Sequence, residues 1–217
     1  LAEPWSPAQG QGVAAYLACI SFADACVGKV ISALEQSAHA DNTVVVLWGD
    51  HGWHLGEKEH WRKFALWEEA TRAPLIWIVP GLTRPNLVCD RTIDAMSVYP
   101  TLADICHLPK PGRLEGTSCR SLLVNPQSSW AQPALSTYKF NNHAVRSEGW
   151  RYIRYANGGE ELYDEKKDEY EWMNLAEDPA YAAIKAGLAR VLPKENKANI
   201  GGRVPAAGRQ PARGRRN

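Results

Sequence analysis

The run Thr43-Val44-Val45-Val46-Leu47-Trp48 restricts the fold more than any other feature of this chain. It is short, continuously apolar and mostly β-branched, the pattern of a strand covered on both faces. Upstream, Tyr16, Ile20, Ala23, Val27, Val30, Ile31 and Leu34 recur at steps of mostly three and four residues, so the stretch from Val13 to Leu34 is predicted to be a helix with one apolar stripe. A long helix feeding a buried strand predicts a parallel α/β sheet. Pro74-Leu75-Ile76-Trp77-Ile78-Val79 is a second such strand, stopped by Pro80-Gly81. Ser97 to His107 carries Val98, Leu102 and Ile105 at helical spacing, with Ser97 or Asp94 as cap and Pro100 tolerated in the first turn. Between the two strands, the segment from Gly52 to Arg72 is polar and aromatic without a clear period, which predicts an ordered excursion from the sheet.

The character changes at Pro109. Turn-rich sequence runs to Gln132, followed by short candidate strands at Ala134 to Tyr138, Ala144 to Arg146, Arg151 to Tyr155 and Glu161 to Tyr163. Ser147-Glu148-Gly149 and Asn157-Gly158-Gly159 supply the turns, so a small antiparallel subdomain is expected. A last helix is expected from Pro179 to Leu192, with Tyr181, Ile184, Leu188 and Val191 on one face. Beyond Lys194 the chain is rich in Gly, Ala and Arg, with no acid after Glu195; such a basic tail cannot pack a core and is expected to be disordered. The expected organisation is an α/β portion over residues 1–123, the antiparallel subdomain over 124–193 and the tail over 194–217.

Composition narrows the function classes. With 217 residues, 45% of them hydrophobic, and a formal net charge of +1, the chain reads as soluble and globular, and no clustered basic surface points to a nucleic-acid partner. The five cysteines include no C-x-x-C pair and read as buried thiols. No uninterrupted apolar stretch of about 18 residues is seen, so no membrane span is expected. The chain opens on Leu1-Ala2-Glu3-Pro4, without an initiator Met or a signal peptide pattern, and is expected to be part of a longer fold.

In open α/β sheets, ligands collect at the carboxyl ends of strands, and Asp50 and His51 stand there, directly after Trp48-Gly49. Glycines on both sides, Gly49 and Gly52, suit a tight departure from the strand. Adjacent residues can then present a carboxylate oxygen and an imidazole nitrogen to one cation. Taken alone, the pair favours a turn cap beside an ordinary surface or core histidine, since two ligands do not make a metal site.

The residues after the pair are more specific. The run Gly52-Trp53-His54-Leu55-Gly56-Glu57-Lys58-Glu59-His60-Trp61-Arg62-Lys63, continuing through Glu68-Glu69-Ala70-Thr71-Arg72-Ala73-Pro74-Leu75, resembles the sulfatase family. In that family a strand ends in D-H-G or D-N-G, a loop runs through L-G-E and W-x-K, and E-x-x-x-R-x-P-L leads into the next strand. Ser97-Val98-Tyr99-Pro100-Thr101-Leu102-Ala103-Asp104-Ile105 resembles the next helix of the family, and Tyr16 to Gly28 with the D-H-G-W run is closest to iduronate-2-sulfatase-like members. The resemblance is dense from about Tyr16 to Leu123 and looser to Leu175. It implies the C-terminal part of an alkaline-phosphatase-like parallel sheet with flanking helices, followed by the small antiparallel subdomain.

Position by position, the resemblance implies that Asp50 and His51 are ligands of a divalent cation, usually calcium (Ca2+). It implies that Lys63 contacts the sulfate group, where an ammonium offsets charge on the sulfuryl or leaving oxygen. Trp53 corresponds to a position lining the substrate pocket. His54, His60 and Arg62 lie in the same loop, within reach of a sulfated sugar. Glu69 and Arg72 are expected to pair or to anchor the loop, and His143 and Arg146 are weaker pocket candidates. The implied substrate is a sulfate ester, such as a sulfated glycan, and family members commonly work in the periplasm, outside the cell or in lysosomes.

The family's nucleophile is a formylglycine made within a C/S-x-P-x-R motif, and these 217 residues contain none; Cys106-His107-Leu108-Pro109-Lys110 lacks the arginine and has proline one place late. The aspartate pair that completes the cation shell in the family is likewise absent, as are its upstream lysine and histidine. The expected partner is therefore the N-terminal half of the fold. Alone, the chain is expected to bind cation weakly, since calcium takes about six to eight oxygens, and to hydrolyse no sulfate ester. Imidazole better suits zinc or manganese, which keeps a phosphate ester hydrolase of the same superfamily as the alternative enzyme. A non-catalytic split half, serving as a structural subunit or sugar-binding module, is the alternative of another class.

Overall fold

The computed structural model describes residues 6–197. The expectations for residues 198–217 of the basic tail lie outside the described residues.

Helix α1 spans Pro7–Glu35 and begins earlier than the apolar stripe predicts. Ser6 and Gln9 form a reciprocal capping box, the Ser6 amide donating to Gln9 Oε1 at 2.8 Å, and Pro7 occupies the first turn, where its missing N–H costs nothing. These caps offset Gly10 and Gly12. No residue of α1 is buried, and Phe22 is 72% exposed. By length and composition α1 could cross a bilayer, which corrects the expectation that no segment would meet that test; the core helix of a soluble domain also meets it.

Strand β1 (Val45–Trp48) pairs with β4 (Leu75–Ile78) in antiparallel register, Trp48 opposite Leu75 and Val45 opposite Ile78. The chain is mixed helix and sheet, an α/β fold, but a parallel pairing of these two strands is not found. A parallel neighbour needs a crossover to the far end of the strand. Here the excursion leaves Trp48 and returns at the same end, and its one α-helix, α2 (Glu68–Thr71), is a single turn. The two-faced cover expected for these strands is also absent: Trp48 is 55% and Ile76 52% exposed.

The excursion is ordered by a minimal hairpin, β2 (His54–Leu55) with β3 (Trp61–Arg62), in which His54 faces Arg62 and Leu55 faces Trp61. After β4, helix α3 (Val98–Ile105) follows a 3-10 turn at Ala95–Ser97, with Pro100 in its first turn as expected. Buried Thr101 ties α3 to the start of α4 (Arg120–Val124), accepting from the Cys119 amide at 2.9 Å. Cys119 is the buried thiol; Cys19, Cys26, Cys89 and Cys106 are exposed, which corrects the expectation for those four.

The expected antiparallel subdomain is present as a four-stranded meander, β5 (Ala134–Thr137), β6 (His143–Arg146), β7 (Trp150–Arg154) and β8 (Glu160–Asp164). Alternation sorts its two faces. Val145, Tyr152 and Leu162 lie in register across one face and pack with Ala176 and Leu192 under α5 (Ala182–Ala189). On the other face, Ala144, Ile153 and Tyr163 pack against Leu66, which belongs to the excursion. The meander thus forms a floor beneath the loop that carries the site.

Candidate functional site

Gly52 sets the geometry after β1. Its amide donates to the Ala70 carbonyl at 2.9 Å, and a Cβ there would stand 2.1 Å from the Glu69 carbonyl oxygen and 2.4 Å from that of Arg72. The requirement for glycine is therefore close backbone approach. The hydrogen bond that ties the loop to Gly52 comes from Ala70, and among the described residues Glu69 and Arg72 form no ion pair with each other. Burial, and then the nearby Glu57, raise the carboxyl of Glu69 above its ordinary value.

His51 is held on both sides of its ring. Nδ1 lies 2.8 Å from the Gly52 carbonyl, an acceptor, so Nδ1 carries the proton and Nε2 presents a lone pair. Lys63 Nζ donates to that Nε2 at 2.8 Å, and Asp50 Oδ1 lies 3.6 Å from it. Carboxylate, imidazole and ammonium therefore converge on one point, with Asp50 83% exposed. Trp53 walls the corner, its ring 6.2 Å from His51 and stacked at 6.0 Å on Tyr16 of α1.

The donor chemistry fits part of a cation shell. Asp50 offers a carboxylate oxygen, and the tautomer of His51 gives Nε2 the lone pair a metal requires, which here accepts from Lys63 and would have to be released to a cation. Among the described residues no third His, Cys, Asp or Glu joins them. The corner thus supplies two ligands and one counter-cation.

The remaining loop residues take different places. His54 is fully buried and its ring packs edge-on against His60 at 5.0 Å and Trp67 at 5.9 Å. Burial, and then His60, hold His54 below its ordinary titration range, so it is neutral packing rather than a sugar contact. His60 turns its ring inward against His54 and Trp67, not toward His51, and its Nε2 is buried without a hydrogen-bond partner. Arg62 is a ladder partner of His54. His143 is buried between Thr137 Oγ1 (2.9 Å) and Asn196 Oδ1 (2.7 Å), so it is a structural residue of the meander. Arg146 pairs with Glu68 at 3.0 Å and Glu165 at 3.3 Å, which removes it from the pocket as well.

Sequence reasoning missed what holds this loop down. Arg151, 1% exposed, faces the excursion from β7 and donates to the Leu66 carbonyl at 3.0 Å, to Glu68, and to Glu165 at 3.1 Å. Its Nε lies 2.6 Å from Glu171 Oε1 but off the N–H axis, an ion pair without a well-directed hydrogen bond. Trp67 Nε1 donates to Glu161 at 2.7 Å. These partners are 83 and 94 residues apart in the chain, so no local pattern announces them.

Two family models match: "Sulfatase" over residues 3–108, and "N-sulphoglucosamine sulphohydrolase, C-terminal" over residues 56–198. The chain belongs to the sulfatase family. A sulfatase of Formosa agariphila is 41% identical over 184 residues, covering 85% of this chain and 36% of the relative. A Delta 4,5-hexuronate-2-O-sulfatase of Bacteroides thetaiotaomicron is 31% identical over 172 residues, covering 74% of this chain and 36% of the relative. The solved phosphonate monoester hydrolase of Silicibacter pomeroyi superposes with a TM-score of 0.68 at 26% identity, covering 77% of this chain and 37% of that one. The chain thus spans little more than a third of the length of the curated relatives it matches. The sulfatase match includes all of α1, so the exposed helix is part of the region shared with the family.

Proposed function

We propose that this chain is the part of a sulfate ester hydrolase that holds the sulfate group and one side of a divalent cation. The observation that carries the reading is the 2.8 Å approach of Lys63 Nζ to His51 Nε2, with Asp50 beside them: one cation donor and two metal-type ligands at one strand end. Asp50 and His51 would hold the cation, calcium by family resemblance, which when bound supplies charge neutralisation for the sulfate oxygens. Lys63 donates to a sulfuryl or leaving oxygen, where charge grows during S–O cleavage. Trp53 offers an apolar wall for a substrate ring. His60, expected as a further substrate contact, supports the hairpin from inside.

The nucleophile and the remaining ligands would come from the N-terminal half of the fold, which would also cover Trp48, Ile76 and the apolar side of α1. The substrate class supported by the hexuronate-2-O-sulfatase relative is a sulfated sugar. The likeness to a phosphonate monoester hydrolase supports a second reading, a phosphate or phosphonate ester as substrate.

The test is turnover of aryl sulfate, sulfated disaccharide and phosphate ester by the 217-residue chain, alone and combined with a sulfatase half that carries C/S-x-P-x-R. No turnover is expected from the chain alone, and sulfate ester turnover from the combination. Measurable hydrolysis by the chain alone contradicts the division of labour, and a combination that prefers phosphate ester favours the second reading.

A further inference from the structure

Lys58 sits at the tip of the β2–β3 hairpin in a left-handed conformation, φ 55°, followed by Glu59 at φ 57°. Non-glycine residues rarely adopt this region, and two in succession need outside support. The support comes from the meander. Lys58 Nζ donates to the Tyr163 hydroxyl at 3.2 Å and to the Glu171 carbonyl. It also lies over the rings of Tyr163 at 4.5 Å and Trp67 at 4.8 Å. An ammonium enclosed by two aromatic faces and two oxygens is strongly located.

The hairpin transmits that location. Its ladder sets His54 opposite Arg62, and the Gly56 amide donates to the His60 carbonyl at 3.1 Å, so the two strands move together. Lys63 follows Arg62 directly, and its amine reaches His51, three residues before His54. The tip is thus fixed at one end of a two-residue ladder, and the anion-facing amine emerges at the other.

We propose that Lys58 is a positioning residue for Lys63: its cation, clamped between Trp67 and Tyr163, registers the hairpin on the C-terminal sheet and so aims the Lys63 amine at the Asp50–His51 corner. The proposal rests on the reading that Lys63 faces a sulfate anion, and its test separates the two.

The test uses the whole chain with Lys58→Met, Lys58→Arg, Lys63→Met and the Lys58→Met/Lys63→Met double variant. It measures amide hydrogen exchange and affinity for inorganic sulfate. In Lys58→Met, exchange at the Gly56 and His60 amides is expected to rise about tenfold while Tyr152 and Leu162 in the meander keep their protection. Sulfate affinity is expected to fall about tenfold, to recover in Lys58→Arg, and to fall no further when Lys58→Met is added to Lys63→Met. Unchanged exchange at Gly56 and His60 in Lys58→Met overturns the positioning role, as does a fully additive double variant. Sulfate affinity indifferent to Lys63→Met overturns instead the sulfate-facing reading of Lys63, and exchange at the hairpin then reports on its anchorage independently.

Discussion

Lys63 Nζ and His51 Nε2, twelve positions apart in the chain, meet at 2.8 Å, and the Gly52 carbonyl fixes which imidazole nitrogen is available for the contact. The amine is therefore held at the Asp50–His51 corner. In an enzyme completed by the nucleophile-bearing half, Lys63→Ala is expected to lower kcat for sulfate esters by about a hundredfold or more, the range seen when one charge-stabilising donor is removed. A variant within about threefold of wild type would show that Lys63 does not act on the developing charge.

Gly52→Ala tests the close approach behind the metal-type pair. The new Cβ would overlap the Glu69 and Arg72 carbonyl oxygens, both backbone atoms that cannot swing aside. A loss of about 2–3 kcal/mol is expected from overpacking of this kind, read by urea unfolding. An unchanged midpoint would mean that the turn after β1 adapts.

Much of this architecture could be read from periodicity. The four strands of the meander, β4 and α3 fall within one or two residues of expectation, because alternation and helical spacing are local properties. Strand direction was not readable: Thr43 to Trp48 looks the same in a parallel or an antiparallel neighbour, and only the return of the excursion to the same end decides it. Nor was the exposure of Trp48, since a continuous apolar strand implies cover without saying which segment provides it. The resemblance points to Asp50, His51, Lys63 and Trp53 as a candidate site, and the structure places these side chains near one another. The burial of His54 and the inward turn of His60 were not, because the two-residue strands β2 and β3 are too short to show a period. Arg151 and Lys58 were missed for a different reason: the partners that join the excursion to the meander, Glu68 for Arg151 and Glu171 for Lys58, lie 83 and 113 residues away.

Arg151 is surrounded by Glu68, Glu165 and Glu171, so truncating it strands buried carboxylates. Arg151→Met is expected to cost about 3–5 kcal/mol, measured as the urea stability of the C-terminal sheet by tryptophan fluorescence. A cost below about 1 kcal/mol would show that the carboxylates find water or protonate without strain.

The same cluster makes stability depend on pH. Burial pushes the Glu171 carboxyl up from its ordinary 4.5 to about 7, with Arg151 opposing. Between those values the folded protein holds a proton that the unfolded chain lacks, so this contribution is complete below pH 4.5 and is lost as pH rises through about 7. Glu68 acts oppositely: burial alone would raise it, but Arg151 and Arg146 hold it low, so its contribution is present above its ordinary value and lost as pH falls through its lowered one. Wild-type urea stability is therefore expected to decline by about 1 kcal/mol per pH unit between about pH 5 and pH 7, and Glu171→Gln to flatten that decline. An identical slope in both proteins would remove Glu171 as its source.

The most direct measurement of the central claim is a titration of the 217-residue chain with inorganic sulfate, followed through the ring signals of His51 by NMR, in wild type and in Lys63→Met. Saturable shifts at His51 are expected in wild type and are lost in Lys63→Met, with His143, buried in the meander, unmoved in both. Shifts at His51 that persist unchanged in Lys63→Met, or no shift at His51 in wild type, would contradict a sulfate-holding corner built from Asp50, His51 and Lys63.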